Sequence, residues 1–387
     1  MEQEEEDQGF IRGLPDEVAY RCLTRVSVQT QAQLHGVSRK WRDLVTSREF
    51  YERRKQQGLT KHCVCMLQAL PTVDSSPHPV FGVSMMNEES EQLWEWLPPI
   101  PEFAQYGLPL FCRLAAVSRS LLVLGGWHPR TWETLRTVYI FDFLARKWRR
   151  GADMPSTRSS FACQALGSDV FVAGGHNNAK IALSTAEVYS TVRDRWQALP
   201  KMNDSRDECS AAVLDGELYI ISGYETASQG QFMQSSEVFK PALNAWTRTS
   251  IGLTLVSRSS CDVIKPRTNV QSRGQLPLFG FHQRELVWYS AEKDEWQLVD
   301  VLPEGEDSIA DPVCVTQLGA DKLFVTGPRN DDDSSFTSLV YTLDLRHEDR
   351  QQSDEHASVA SFRGKWEFLR PHKKFQEVIQ TSCVVEI

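Results

Sequence analysis

The feature that most constrains the fold of this chain is a tryptophan that returns about every fifty residues. The series comprises Trp96, Trp148, Trp196, Trp246, Trp296 and Trp366, at intervals of 52, 48, 50, 50 and 70 residues. A pair of small residues precedes most members, as Gly174-Gly175 precedes Trp196, and an aromatic residue such as Tyr189 stands between. Self-similarity at a fixed period indicates a repeat architecture in which each unit is one supersecondary element.

Each repeat reads as four short strands separated by turn residues. In one unit these are Phe161–Leu166, Val170–Ala173, Ala186–Tyr189 and Trp196–Leu199. The other units carry Gly125-Gly126 with Tyr139, Ser222-Gly223 with Phe239, Phe279-Gly280 with Tyr289, and Thr326-Gly327 with Tyr341. Glycine lets the backbone turn without a Cβ clash, and tryptophan supplies a large apolar plate between neighbouring units. The pattern resembles the kelch repeat, and this resemblance implies a β-propeller.

The two ends of the repeat region predict the number of blades. Before Trp96 there are only two strand-like runs, His62–Leu70 and Val80–Met86, so the first blade lacks its innermost strand. One additional strand, Glu377–Glu386, follows the last repeat. We predict a mainly β protein: a six-bladed propeller at 61–387, closed by strand 377–386, because closure removes exposed strand edges. Small buried cysteines mark the predicted inner strands: Cys112, Cys163, Cys209, Cys314 and Cys383.

A short helical segment precedes the repeats. Proline in Leu14-Pro15-Asp16-Glu17 suits the start of a helix, and the two acids favour the positive end of its dipole. An apolar stripe then recurs every four residues, at Leu14, Val18, Cys22 and Val26. Two more short helices are predicted at 28–35 and 37–45. About forty such residues bury little surface alone, so they need a partner, which is a second protein or the propeller that they cap.

The same segment resembles an F-box over about residues 11–55. The likeness rests on Leu14-Pro15-Asp16-Glu17-Val18, on Leu23, and on Val37-Ser38-Arg39-Lys40-Trp41-Arg42-Asp43-Leu44. It implies that the chain binds a Skp-type adaptor and reaches a cullin scaffold through that adaptor. Seven residues would contact the adaptor or support the residues that do: Leu14, Pro15, Val18, Leu23, Val37, Trp41 and Leu44. The expected organisation is a disordered acidic tail at 1–10, the F-box at 11–55, a linker at 56–60 and the propeller at 61–387.

The net charge and the cysteine content indicate which classes of partner and which cellular compartment to expect. The formal net charge of −9 argues against nucleic acid or an anionic membrane as the main partner. No apolar run approaches the roughly 20 residues that cross a bilayer, and the acidic N-terminus is the opposite of a targeting peptide. Nine cysteines without any Cys-x-x-Cys pair indicate free thiols. We therefore expect the cytosol or nucleus.

Candidate substrate contacts fall at equivalent places in several repeats. Arg158 and Arg206 each lie 16 residues before a small pair, and Arg258 has a matching place after Trp246. These arginines would either grip acidic or phosphorylated segments near the channel mouth or bond loop carbonyls that hold the ring together. Loops after the small pairs add further candidates, with the alternative that they fold back over blade edges: Trp127, His128, Arg130, Trp132, His176 and Tyr224.

The two resemblances together cover nearly the whole chain, which is similar to plant F-box/kelch-repeat proteins, in particular the group that includes the Kiss-me-deadly receptors. This likeness implies a non-catalytic substrate receptor of an SCF-type ubiquitin ligase. Its targets would be ubiquitinated and degraded, and phenylalanine ammonia-lyase and type-B cytokinin response regulators are the targets that it suggests. One alternative is a non-degradative scaffold. The other is a metal-dependent enzyme using His128, His176 and His282, although no histidine pair has ligand spacing, so no cofactor or metal is expected.

Overall fold

The structure is a computed structural model that describes a set of segments separated by short gaps. These are residues 9–34, 36–71, 79–87, 90–214, 216–249, 262–263, 278–282, 285–290, 295–303, 309–310, 313–318, 322–329, 338–347 and 362–387. Within them, helices come first and six four-stranded antiparallel sheets follow. No helix among these segments is both long and apolar enough to cross a membrane.

Four short helices form the N-terminal module: α1 (Asp16–Thr24), α2 (Val28–Leu34), α3 (Arg39–Thr46) and α4 (Arg48–Gln56). Ser38 caps α3 by accepting a hydrogen bond from the Trp41 amide at 3.1 Å. Ser47 caps α4 in the same way, accepting from the Phe50 amide at 3.2 Å. A serine oxygen satisfies a helix-start N–H that has no partner within the helix. The helix α4 is additional to the three that the sequence predicted.

The six sheets follow one another along the chain as blades. Blade 1 holds β1 (His62–Ala69), β2 (Phe81–Asn87), β3 (Ser90–Trp96) and the last strand, β24 (Ile379–Glu386). Blade 2 holds β4 (Arg113–Val117), β5 (Ser120–Leu124), β6 (Val138–Asp142) and β7 (Lys147–Arg150), and blade 3 holds β8 (Ala162–Leu166), β9 (Asp169–Ala173), β10 (Ala186–Ser190) and β11 (Arg195–Ala198). Blade 4 holds β12 (Ser210–Leu214), β13 (Glu217–Ile221), β14 (Ser236–Lys240) and β15 (Ala245–Thr249). Blade 5 holds β16 (Asp262–Val263), β17 (Leu278–His282), β18 (Glu285–Ser290) and β19 (Glu295–Val301), and blade 6 holds β20 (Cys314–Leu318), β21 (Lys322–Pro328), β22 (Ser338–His347) and β23 (Phe362–Leu369).

Ring closure takes the predicted form. The strand β24 pairs antiparallel with β1, with Cys65 directly opposite Cys383, and it also contacts β4 and β20, the innermost strands of the two neighbouring blades. The cysteine series lies in or directly before innermost strands, as Cys163 in β8 and Cys209 before β12 illustrate. The prediction of a six-bladed propeller preceded by a small helical module is therefore confirmed.

Three of the recurring tryptophans connect their blade to the one before it. The indole N–H donates to a carbonyl in the loop that follows the preceding blade: Trp148 to Pro98 at 2.6 Å, Trp196 to Ala152 at 2.8 Å and Trp246 to Pro200 at 2.8 Å. In blade 2, Trp148 lies opposite Phe141, and Tyr139, the aromatic residue noted in the sequence, lies opposite Arg150. Residues two apart share a face of a strand, so spacing alone does not decide between Phe141 and Tyr139.

The small-residue pairs turn the chain where backbone segments approach closely. Gly125 and Gly126 have φ of 57° and 91°, and a Cβ on Gly126 would lie 2.6 Å from the Leu110 carbonyl oxygen. Real Cβ atoms do not come so close to backbone, so only glycine fits at Gly126. Ser222 takes the matching left-handed place in blade 4 with φ of 58°. These turns position the loops that follow the second strand of blades 2, 3 and 4, whereas Phe279-Gly280 and Thr326-Gly327 lie inside β17 and β21.

Polar contacts hold the helical module against one face of the propeller. The guanidinium of Arg119, in the turn between β4 and β5, donates to the carbonyls of Val45 at 2.7 Å and Thr46 at 2.8 Å. Lys55 of α4 also pairs with Glu386 of β24 at 2.5 Å. Successive antiparallel strands place alternate connections at opposite ends of a blade. The loops at 125–137, 174–185 and 222–235, with the segments 108–112, 156–161 and 204–209, therefore form the opposite face, named here the loop face.

Candidate protein-binding surfaces

An apolar stripe begins just before α1, continues along it, and is left exposed by the part of the chain that the structure describes. Leu14 is 40% exposed and Val18 is 43% exposed, and Cys22, four residues further, is exposed as well. Residues four apart lie on one side of a helix. Val37, in the turn before α3, is 60% exposed, and Pro15 is also exposed. The alternative in which this stripe packs against the propeller is not the arrangement observed.

The remaining predicted adaptor residues belong to the core of the helical module. Leu23 is buried with Val45 and Phe50, while Trp41 and Leu44 are half-buried against them. The exposed positions can therefore contact a partner, and Leu23, Trp41 and Leu44 support the helices that present them.

Arg54 is a buried residue of α4 that hydrogen-bonds to neighbouring segments of the helical module. Its guanidinium donates to the carbonyls of Val26 at 2.9 Å and Leu59 at 2.6 Å, and to that of Thr24. Burial lowers the pKa of the Arg54 guanidinium, and the nearby Arg119 lowers it further. These bonds join α4 to the end of α1 and to the segment that leads into the propeller.

Arg158 and Arg206 are wholly buried and fully bonded. Arg158 donates to the carbonyls of Gly174 at 2.8 Å and Thr185 at 3.1 Å, and it pairs with Glu187 at 2.9 Å. Its neighbour in the next blade repeats the pattern: Arg206 donates to the carbonyls of Ser222 and Ser235, both at 2.8 Å, to the Ser235 hydroxyl at 3.0 Å, to Asp204 at 3.2 Å and to Glu237 at 3.2 Å.

This geometry corrects the expectation that these arginines grip a substrate. A guanidinium has five N–H donors, and those of Arg206 are all used within the ring. The carboxylate of Glu237 is itself fully buried. The alternative, in which the arginines bond loop carbonyls, is what the structure supports at Arg158 and Arg206. Arg258 lies outside the described residues.

Three side chains from successive blades form a hydrogen-bonded chain across the loop face. The Trp127 indole N–H donates to Nε2 of His176 at 2.9 Å, and Nδ1 of His176 lies 2.8 and 2.9 Å from the two carboxylate oxygens of Asp207. Because an indole nitrogen only donates, Nε2 must accept, and Nδ1 then carries the hydrogen that binds Asp207. Both ring nitrogens of His176 are therefore engaged within the loop face.

A cavity of about 300 Å³ opens on the loop face beside this chain. It is lined by residues from blades 2, 3 and 4: Phe111, Trp127, Ser160, His176, Lys180, Asp207, Glu208, Tyr224, Thr226 and Gln229. Phe111, Ser160 and Glu208 occupy equivalent places just before the innermost strands, and their φ values are 56°, 53° and 50°. Non-glycine residues seldom adopt left-handed backbone, although several turns of the described blades, such as that at Asn244, also contain it.

Comparisons with known proteins agree with both parts of this architecture. A family model of the F-box domain matches residues 11–53, and one of the kelch motif matches 110–155 and 157–203. One F-box/kelch-repeat protein of Arabidopsis thaliana is 41% identical over 300 residues, covering 76% of this chain and 82% of that protein. A second from the same plant is 32% identical over 388 residues, covering 98% of this chain and 99% of its own length. This chain belongs to the plant F-box/kelch-repeat proteins.

In this F-box/kelch-repeat protein, three of the predicted loop residues meet at the cavity and three do not. Trp127, His176 and Tyr224 line it, and the Tyr224 hydroxyl donates to Glu208 at 2.9 Å. Burial raises the pKa of Tyr224, and the bond to Glu208 raises it further. The three remaining predicted residues belong to the Trp127 loop without lining the cavity: His128, Arg130 and Trp132. Their contacts are the Phe103 ring for His128, the Tyr106 hydroxyl at 3.0 Å for Arg130 and the Trp127 ring edge for Trp132.

Seven residues of the cavity were not predicted from the sequence: Phe111, Ser160, Lys180, Asp207, Glu208, Thr226 and Gln229. The Lys180 ammonium lies 3.0 Å from the centre of the Trp127 ring. Burial lowers the pKa of Lys180, although the charge of Asp207 acts in the opposite direction. A signal was present for two of them, because Phe111 and Glu208 each directly precede an inner-strand cysteine.

The histidines proposed as metal ligands in the enzymatic alternative are engaged elsewhere. His176 uses both ring nitrogens, and Nδ1 of His128 accepts from the amides of Arg130 and Thr131, both at 3.2 Å. The side chain of His282 lies outside the described residues. Within the part of the chain that the structure describes, no group of three His, Cys, Asp or Glu is arranged to hold a metal ion.

Proposed function

We propose that this F-box/kelch-repeat protein is the substrate-recognition subunit of an SCF-type ubiquitin ligase. The observation that carries the proposal is the uncovered apolar stripe of α1, on a module whose own core is already closed. An exposed apolar surface of this kind indicates a protein partner. The F-box supports a Skp-type adaptor as that partner, and a cullin scaffold would be reached through it. Membership of this family supports a receptor rather than an enzyme.

The placement of the two surfaces supports a bridging role. The helical module lies against the face that carries Arg119, while the cavity opens on the loop face at the other end of the blades. An adaptor bound to α1 and a target bound to the loop face would therefore not compete for the same surface. The ligase would then ubiquitinate the target and commit it to proteasomal degradation.

The target class and the compartment are finer parts of the same proposal. Likeness to the group that includes the Kiss-me-deadly receptors supports phenylalanine ammonia-lyase or type-B response regulators as targets, and thereby roles in phenylpropanoid metabolism or cytokinin signalling. All cysteines among the described residues have free thiols, and several of them are buried. Free thiols support residence in the reducing cytosol or nucleus.

The adaptor-docking role is tested by capture of a purified Skp-type adaptor on the full chain. Leu14→Ala is expected to weaken binding about 30-fold, because covering a leucine side chain contributes roughly 2 kcal/mol. Leu14→Ala combined with Pro15→Ala should abolish capture. Leu243→Ala is the matched control, since Leu243 is an equally apolar and 70% exposed residue in the turn before β15. Unchanged capture by the double variant would refute the docking role.

Target turnover separates the ligase from the scaffold alternative. Affinity capture from plant cells, with and without proteasome inhibition, should yield the adaptor together with a target whose abundance rises under inhibition. The Leu14→Ala and Pro15→Ala double variant should still capture that target but no longer shorten its half-life. A target whose half-life is the same with the wild type and the double variant would favour the scaffold.

A further inference from the structure

We propose that the cavity on the loop face receives a basic side chain, an arginine or a lysine, from the captured target. This inference rests on the proposed receptor function and names the chemistry of its substrate. It reverses the expectation drawn from the arginine series. Because Arg158 and Arg206 are buried, the charged groups that line the cavity are Lys180, Asp207 and Glu208.

The charge of the lining favours a cation. One ammonium and two carboxylates leave a net charge of about −1. The carboxylate of Asp207 already accepts hydrogen bonds from His176 and, at 2.9 Å, from the Glu208 amide. Glu208 is exposed, and one of its oxygens accepts from the Tyr224 hydroxyl, while Oε2 has no partner among the described residues. A carboxylate oxygen is therefore available, and it is held in place by Tyr224.

The aromatic side of the cavity favours the same ligand. Trp127 already has a cation on its ring, the ammonium of Lys180, and indole is the aromatic ring that attracts cations most strongly. Phe111 packs edge-on against Trp127 at 5.2 Å and is itself 45% exposed at the rim. A guanidinium or ammonium from a target could take the place of Lys180, which would then return to water. The rings would contact the aliphatic stem of the incoming side chain.

Size and backbone geometry fit a single side chain. A volume of about 300 Å³ is at the lower limit of small-molecule sites, which suits one long side chain better than a cofactor. The left-handed backbone at Phe111 and Glu208 sets the directions of the rim side chains. The one opposing feature is Lys180, which could attract an acidic or phosphorylated group instead. The net negative lining and the overall charge of −9 outweigh it.

The probe that tests this proposal is a displayed library of twelve-residue random peptides, selected on the full chain. Enriched peptides should share an arginine or lysine at one fixed position. Replacing that arginine by citrulline keeps its shape and removes its charge, and it should weaken binding about tenfold, as loss of a charge-assisted hydrogen bond would. Glu208→Gln should weaken the arginine peptide similarly and leave the citrulline peptide unchanged. Glu208→Lys should favour the peptide in which glutamate replaces the arginine.

Glu133→Gln is the matched control variant. Glu133 is also an exposed glutamate of the loop face that accepts from a hydroxyl, that of Thr131, but it does not line the cavity. Enrichment of acidic or phosphorylated peptides, equal effects of Glu133→Gln and Glu208→Gln, or enrichment of no basic peptide would each overturn the proposal. Adaptor capture is measured on the same variants. Retained adaptor and target binding with Glu208→Gln would leave the receptor function standing while removing the basic-ligand assignment.

Discussion

Replacement of Arg206 by alanine is expected to destabilise the propeller strongly rather than to weaken target capture alone. The guanidinium lies at the junction of blades 3 and 4, where it joins two carbonyls, one hydroxyl and two carboxylates. Its removal leaves the wholly buried Glu237 without its opposite charge. Breaking a buried ion pair by removing one partner costs about 3–5 kcal/mol in the free energy of unfolding.

Two features adjust that magnitude in opposite directions. Glu237 keeps hydrogen bonds from the Asn203 backbone and side chain at 2.7 Å, and from the Asp204 amide at 3.1 Å, which limits the loss. The carbonyls of Ser222 and Ser235 each lose a donor, at about 1 kcal/mol apiece. A net loss of about 3–5 kcal/mol is a large part of the 5–15 kcal/mol that typically separates folded from unfolded states.

Urea unfolding followed by tryptophan fluorescence measures this effect. Arg248→Ala is the control, since Arg248 pairs with the same Asp204 but is 62% exposed, and its loss should leave the unfolding midpoint nearly unchanged. Combining Arg206→Ala with Glu237→Ala should cost less than the two single changes together. A stable Arg206→Ala variant that fails only in target capture would refute the structural role and restore Arg206 as a contact residue.

Three further results are expected. Gly126→Ala should lower the free energy of unfolding by about 1–3 kcal/mol more than Gly167→Ala does. Both glycines have positive φ, but only at Gly126 would an added Cβ lie within 3 Å of backbone atoms. Equal losses of stability would argue against that close approach. Arg119→Ala should raise amide hydrogen exchange in α3 and α4 about tenfold without changing blade 4, and unaltered exchange would mean that the helical module is held by other contacts. Burial acts to raise the pKa of Glu386, but hydrogen bonds led by that from Lys55 outweigh it and hold the pKa below its usual 4.5. The stability advantage of the wild type over Glu386→Gln should therefore be complete above about pH 4.5 and fade as the pH falls below it, and a constant difference across pH 3–7 would contradict this linkage.

The propeller could be predicted from the sequence because its signals are local and repeated. Each tryptophan, glycine pair and turn lies within one blade. The missing inner strand of blade 1 predicts that a strand at the end of the chain, which is β24, completes that blade. Pairing in detail was harder. Tyr139 and Phe141 point to the same side of β6, so the partner of Trp148 depends on strand register rather than on composition. The helix α4 has a recognisable start in the sequence, a capping serine at Ser47 followed by the acidic Glu49 in the first turn.

The candidate site was less predictable, for physical reasons. Arg158 and Arg206 occupy the expected places in their repeats, but whether a guanidinium points into the ring or away from it depends on carbonyls contributed by distant loops. Phe111, Ser160 and Glu208 share one left-handed backbone conformation and yet have an aromatic, a hydroxyl and a carboxylate side chain. Because these equivalent positions hold different residue types, they form no repeated motif in the sequence. The cavity can therefore be recognised only from the assembled blades.

The pairing of β24 with β1 also sets the order of events at the ribosome. The helices of the N-terminal module emerge about three hundred residues before the strand that completes blade 1. At about 5–20 residues per second, synthesis of that stretch takes roughly a quarter of a minute to a minute. Throughout this interval the stripe on α1 already exists, while β1 has an unpaired inner edge of the kind that favours aggregation. The F-box segment therefore leaves the ribosome well before the strand that closes the ring.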